Sequence, residues 1–464
     1  MRRILLTLTT TAALLALLTG GCSVEQPDGV TVAPLSGDLF FADYVAVGNS
    51  LTAGFMDAGL VVNGQLNSYP RLIATQLGFD TSVSASASWT QPWIAFPGVG
   101  STGTGDPSLV AGVLYWNGAS IVPTDIYSVA DVPSKLLAAL VPTPYNNLGV
   151  PGAALIDVLD AYDAATSVLG NNSYFDFILR NPNFGNTTQL QQCVGGKPTL
   201  VTLWIGNNDV LGGATSGSPQ VGTNPLAGDN ITPPAAFAAL YEDVVDGILV
   251  GVQGATGFAP LLIAANIPSI TTIPFFIPKL AFDQTYPFGY EEADVSLVLF
   301  TALSWIAIPA NQGQPVPANY TLSTTEVTTV ENTVDAYNTS IATICADHDV
   351  PVVDMRALLM NLTQPERTHF VFLVQGGMDV ASAAATTLFS LDGIHPNNRG
   401  YGVVANAFIS VINAAAGTSV PFVNTASLAW DPTYGQKLLL AAHEGPPGLS
   451  PEAAGALTAV FRRP

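Results

Sequence analysis

Four short runs of almost unbroken apolar residues, at positions 44–47, 199–205, 260–267 and 350–353, constrain this chain more than any other feature. None alternates polar with apolar, so each predicts a strand buried on both faces, as in a parallel sheet covered by helices. The stretches between them carry helical signals. Thr232 followed by Pro233 predicts a capped helix with Phe237, Leu240, Tyr241, Val244 and Ile248 on one face. Ser323 and Glu326 form a capping-box pattern ahead of Val327, Val330, Val334, Tyr337, Ile341 and Ile344. A further helix follows Gly400, with Val403, Val404, Ala407, Phe408, Val411 and Ile412 facing one way. Strands alternating with helices predict a three-layer α/β/α domain.

Composition supports a packed core: apolar residues make up 48% of the chain and charged residues 10%. With 34 acidic and 13 basic residues the net charge is −21, the wrong sign for holding nucleic acid or anionic lipid headgroups. Stretches rich in Gly, Ser, Thr and Pro, about 80–140 and 210–232, break the strand–helix alternation and read as insertions. Residues 267–308 are unusually apolar, with Phe275, Phe276, Phe282, Phe288, Phe300 and Trp305. Pro268, Pro274, Pro278 and Pro287 interrupt that stretch, so no uninterrupted membrane span fits its first half. It reads as core plus a covering loop in preference to a lid or acyl-binding surface.

At the N-terminus, Met1-Arg2-Arg3 and the apolar run to Leu18 form an export-signal pattern. The following Thr19-Gly20-Gly21-Cys22 resembles the cleavage site of bacterial lipoproteins, with Cys22 as the lipidated residue; Thr19 departs from the usual aliphatic residue, which leaves plain secretion as the alternative. Several acyl chains on Cys22 would give stable anchoring. Ser23 resembles an outer-membrane sorting signal, so the expected location is the outer membrane, on its periplasmic or surface face. An exported compartment permits a disulfide between Cys193 and Cys345, and two unrelated buried thiols fit as well.

Four segments carry candidate chemistry: Gly48-Asn49-Ser50-Leu51-Thr52-Ala53-Gly54, Asn146-Asn147-Leu148-Gly149-Val150-Pro151-Gly152, Gly206-Asn207-Asn208-Asp209 and Asp392-Gly393-Ile394-His395. Three follow expected strands, and in open parallel sheets ligands bind beyond the carboxyl ends of the strands. Asp392 and His395 are three apart, a spacing that makes side chains neighbours on a helical turn. His348, His369 and His443 lack such a partner and read as structural or surface residues. In this order the four segments resemble the SGNH/GDSL hydrolase family, from Tyr44 to about Ala414. The fold that goes with it is an α/β/α, flavodoxin-like parallel sheet with helices on both faces and long loop insertions. The expected organisation is a signal peptide at 1–21, a lipidated N-terminus and tether at 22–38, and a hydrolase domain at 39–418 with insertions near 80–140, 210–232 and 267–322. A C-terminal extension occupies 419–464, frayed from about Gly445.

The resemblance implies Ser50 as nucleophile, His395 as general base and then acid, and Asp392 as the group that fixes the imidazole. The backbone N–H groups of Ser50 and Gly152 and the side-chain amide of Asn208 would form the oxyanion hole. The chemistry needs these groups, because a serine hydroxyl attacks only when an oriented base takes its proton, and the carbonyl oxygen then carries a full negative charge. Asn49 stands where the family usually has Asp; it keeps one acceptor, loses the charge and gains a donor. The expected reaction is ester hydrolysis through an acyl-serine, with no cofactor and no metal, on small-molecule or lipid acyl esters. Membrane contact would come only through the N-terminal anchor. The alternatives are a carbohydrate O-acetyl esterase, with Trp89 and Trp93 as a sugar-stacking surface, and a non-catalytic lipid-anchored binding protein. The sequence carries no signal of oligomeric state.

Overall fold

The computed structural model describes residues 40–100, 106, 108–138, 141–222, 230–434 and 448–459. The export signal, Cys22, the tether and His443 lie outside the described residues.

Five parallel strands form the centre: β1 (Tyr44–Gly48), β2 (Asn147–Gly149), β3 (Leu200–Trp204), β4 (Leu261–Ala265) and β5 (Val352–Val353). Their spatial order is β2-β1-β3-β4-β5, the doubly wound order that reverses direction between β1 and β3. The two central strands, β1 and β3, are buried along their whole length and pair in register from Tyr44 opposite Leu200 to Gly48 opposite Trp204. The unbroken apolar runs arise because each strand has a helix layer above and below it.

Eight helices matter for the site: α1 (Ser50–Ala53), α2 (Tyr69–Gln76), α3 (Gln189–Gly196), α4 (Asn208–Thr215), α5 (Pro234–Thr256), α6 (Thr324–Asp347), α7 (Met355–Asn361) and α8 (Asn398–Ala416). On one side α5 packs against α3 and α6, with the rings of Phe237 and Tyr337 stacked 3.9 Å apart. On the other, α8 packs against α2, β4 and β5, and Phe408 stacks on Tyr69 at 4.7 Å. These are the three α/β/α layers.

The capping box at α6 is present in full: the Ser323 hydroxyl accepts from the Glu326 N–H, and the Glu326 carboxylate accepts from the Ser323 N–H. At α5 the expected cap is displaced by one residue. Pro233 occupies the cap position, and the Thr232 hydroxyl instead donates to Asp209 Oδ1 at 2.7 Å. The Thr232 hydroxyl thus serves as a donor to a buried carboxylate and not as an acceptor for the first N–H groups of the helix.

The apolar 267–308 segment forms two strands, Phe276–Pro278 and Val295–Leu299, of a three-stranded antiparallel sheet completed by Thr321–Ser323. Phe275, Phe276, Phe282 and Phe300 are core residues. Within the stretch expected to fray from about Gly445, residues 448–459 form regular structure. Gly448–Leu449 pairs with Ser120–Ile121, and Pro451–Ala459 is a helix with the Ser450 hydroxyl accepting from the Ala453 N–H. A serine cap and buried Ala453, Ala456 and Leu457 outweigh the Pro and Gly content. Cys193 and Cys345 are free, separately buried thiols, and burial pushes them up to about 12 and about 11. Among the described residues, no helix is long and apolar enough to cross a membrane.

Candidate active site

Strand β1 ends at Gly48, and the chain turns through Asn49 directly into α1, which sets Ser50 at the first position of a one-turn helix. Asn49 Oδ1 caps that helix by accepting from the Leu51 N–H at 3.1 Å. Its Nδ2 donates to Asn207 Oδ1 at 3.2 Å, so the donor that Asn has and Asp lacks ties the Ser50 turn to the Asn207-Asn208 segment after β3. Strand β2 closes the other side. A Cβ on Gly149 would stand 2.4 Å from the Ala53 nitrogen and 2.7 Å from the Thr52 carbonyl carbon, so only glycine lets β2 lie this close to α1.

The segment carrying Asp392 and His395 is a turn and not the helical turn that the spacing suggested. Asp392 Oδ1 accepts from the N–H groups of Ile394 and His395, both at 2.8 Å, and the carboxylate itself draws the chain round. Asp392 Oδ2 accepts the Nδ1 hydrogen of His395 at 2.9 Å, and His395 Nε2 lies 2.8 Å from Ser50 Oγ. All three side chains are buried, at 1–2% exposure. Burial would raise the Asp392 carboxyl, but the His395 imidazole and the backbone N–H groups of Ala58 and His395 outweigh it and hold the group below its ordinary value. An ionised Asp392 fixes the tautomer that leaves Nε2 free to accept the serine proton.

Gly152 lies in a left-handed turn just past β2, φ +78°, and the Val150 N–H donates to the Gly48 carbonyl, which binds this turn to the nucleophile turn. Asn208 opens α4 and lines the same cleft as Ser50 and His395. One hydrogen of its Nδ2 goes to the Ala153 carbonyl at 2.8 Å, and a primary amide carries a second. The next residue, Asp209, is fully buried and accepts from the Leu155 N–H at 2.8 Å, so the Gly152 and Asn208 segments are held together behind the cleft.

The cleft over Ser50 is small, with a volume of about 90 Å³. Its walls are mainly aliphatic: Leu211 of α4, Ile270 and Ile273 from the apolar segment, Leu358 and Leu359 of α7, and Val403 of α8. The 267–308 segment is therefore both core and part of the cleft wall. Trp89 and Trp93, expected as a sugar-stacking surface under the carbohydrate alternative, are 0% and 1% exposed and packed in the core.

Sequence reasoning missed Asp57 and Ala58, and it read His369 as a structural or surface residue. The Ala58 N–H donates to Asp392 Oδ2 at 3.0 Å. His369 is fully buried beside the Asp392–His395 turn, its Nε2 3.0 Å from the Leu391 carbonyl and its ring stacked on Phe300. His348 lies at the surface, 2.8 Å from Glu242, and that hydrogen bond raises its pKa.

A buried hydroxyl, imidazole and carboxylate in hydrogen-bonded series, at the carboxyl edge of a doubly wound sheet, are the parts of a serine hydrolase. Residues 44–408 match the family described as GDSL-like Lipase/Acylhydrolase, and the chain belongs to that family of ester hydrolases. No curated protein matches the chain. Among solved structures it is similar to an α/β-hydrolase enzyme from the metagenome of Lake Arreo, Spain, at 15% identity over 84% of this chain and 100% of that one, TM-score 0.31. Another is a mutant of Axe2, an acetyl-xylooligosaccharide esterase from Geobacillus Stearmophilus, at 14% identity over 57% of this chain and 69% of that one, TM-score 0.24.

Proposed function

We propose that the protein hydrolyses acyl esters of lipids or short-chain acids through an acyl-Ser50 intermediate, with the acyl group in the aliphatic cleft. The observation that carries this reading is the series Asp392–His395–Ser50 opening onto a cleft walled by Leu, Ile and Val side chains. His395 Nε2 takes the Ser50 proton as Oγ attacks the ester carbon. The N–H groups of Ser50 and Gly152 and Nδ2 of Asn208 hold the anionic oxygen, in a site where solvent competes poorly. His395 then gives its proton to the departing alcohol oxygen. Water attacks the acyl-serine, His395 takes a water proton, and the carboxylic acid leaves as Ser50 recovers its hydrogen.

A panel of p-nitrophenyl esters tests the substrate class. Higher kcat/KM for butyrate and longer chains than for acetate, abolished in Ser50→Ala, is the expected outcome. A preference for acetylated sugars over every fatty ester would contradict the lipid part alone.

We further propose that the mature protein is exported and anchored through lipidated Cys22. The support is the charged start, the apolar run and the small residues before Cys22. Cys22→Ser should move the protein from the detergent phase to the aqueous phase on cloud-point partition; retention in detergent would contradict the anchor.

A further inference from the structure

Behind the Asp392 carboxylate lies a second carboxylate that the hydrolytic chemistry does not use. Asp57 is 0% exposed and every one of its polar groups is committed to a neighbour. Its Oδ1 accepts from the Leu391 N–H at 2.8 Å, and its own N–H donates to Ser390 Oγ at 3.0 Å. Its carbonyl accepts from the Leu114 N–H at 2.7 Å. The next amide, that of Ala58, is the one that donates to Asp392 Oδ2. Asp57 and Ala58 both hold left-handed backbone, φ +53° and +58°, a region that non-glycine residues seldom adopt. That conformation aims the Ala58 N–H at Asp392 while the Asp57 side chain reaches the residue just before Asp392.

The other Asp57 oxygen, Oδ2, accepts a short hydrogen bond from the Tyr434 hydroxyl. Tyr434 lies beyond the residues that match the family, which end at 408. Its segment is fastened at two more points: the Ala429 carbonyl accepts from Asn398 Nδ2 at 2.6 Å, and the Pro432 carbonyl accepts from the Trp116 N–H at 2.9 Å. Trp430 adds an edge-on contact with Phe370 at 5.7 Å.

The geometry points to Asp57 as a positioning residue that holds the Ser390–His395 turn, and with it the catalytic carboxylate, with Tyr434 of the C-terminal extension clamping Asp57 from outside. This rests on the reading of Ser50 as the nucleophile. Asp57 does not line the cleft and makes no hydrogen bond to His395; it acts by fixing where Asp392 sits, and displacements near 1 Å in such a series can cost about 100-fold in rate.

The test is acylation of the full chain by a fluorophosphonate and turnover of p-nitrophenyl butyrate, with kcat given per labelled site. Asp57→Ala should lower kcat and the labelling rate about 30- to 100-fold with KM within about twofold of wild type. Asp57→Asn should recover most of that loss, since its amide oxygen still accepts from Leu391 and its NH₂ can donate to the Tyr434 oxygen. Tyr434→Phe, which removes one oxygen at the outer end, should lower kcat about 3- to 10-fold with KM unchanged, and it decides the matter if Asp57→Ala does not fold. Wild-type rates per labelled site in Tyr434→Phe, or in folded Asp57→Ala, overturn the assignment. So does equal loss in the Ala and Asn variants, which would show that the charge of Asp57, and not the hydrogen bonds that place the turn, is what matters. Failure of the wild-type protein to label at all would instead overturn the nucleophile reading on which this rests.

Discussion

Asp392, Asp57 and His369 crowd one buried turn, and their protonation has opposite consequences for stability. Burial pushes His369 down from 6.5 to about 4, so on acidification the unfolded chain takes up that proton before the folded protein does. Stability at this site is complete above pH 6.5 and falls as pH drops towards 4, by roughly 3 kcal/mol in all. Burial raises Asp57 from 3.8 to about 7, with Tyr434 and Leu391 opposing and Asp392 adding to the rise. Here the folded protein takes up the proton first, so this contribution is present below pH 4 and lost as pH rises through 7. The two slopes oppose each other between pH 4 and 6.5. Asp57→Asn removes one of them, so its unfolding free energy from denaturant titrations should fall more steeply with acid than that of wild type; parallel curves would contradict the shifts. At Asn208, replacement by Ala should cost about 10²–10³ in kcat with KM little changed, and a smaller loss would remove its amide from the oxyanion hole. The Asp392–His395 spacing was readable along the chain. The turn that realises it was not, because the capping of Ile394 and His395 by the carboxylate competes with helix only in the folded surroundings. Asp57 was invisible for another reason: its partner Leu391 is 334 residues away, and an isolated Asp near Gly59 carries no pattern.

The strands were the most legible elements. Runs at 44–47, 199–205, 260–267 and 350–353 became β1, β3, β4 and β5, with ends trimmed where the ladder stops. Strand β2 has three residues and lies inside the Asn146–Gly152 segment, not in the apolar stretch expected as a strand before it, and it is placed by pairing with β1 and by the glycine contact with α1. Gly149→Ala should therefore push α1 and Ser50 out of line. The expected result is a loss of about 100-fold in labelling rate with far-UV circular dichroism unchanged, and a wild-type rate would show that α1 tolerates the methyl. The cleft walls were not legible, since Leu211, Ile270, Leu358 and Val403 come from four elements whose apolar faces look like ordinary core. Val403→Trp should lower the ratio of kcat/KM for dodecanoate to that for butyrate about tenfold or more, and an unchanged ratio would place the acyl chain elsewhere.

At the scale of the molecule, a sheet with its helices supplies Ser50, Asn208, Gly152 and the His395 turn, and residues 429–434 pack at the back of that turn. The order of four motifs in the sequence carried the family and the class of reaction. Sequence order could not show that Tyr434 reaches Asp57, because composition gives a loop no address. The sheet edge matters because it brings residues 345 positions apart, Ser50 and His395, into one hydrogen bond. The most direct measurement is intact mass and peptide mapping after reaction with a fluorophosphonate. One adduct per chain on Ser50, absent in Ser50→Ala and formed at least about 10³-fold more slowly in His395→Ala, is predicted. An adduct on another residue, or labelling of Ser50 at the same rate without His395, would contradict the account.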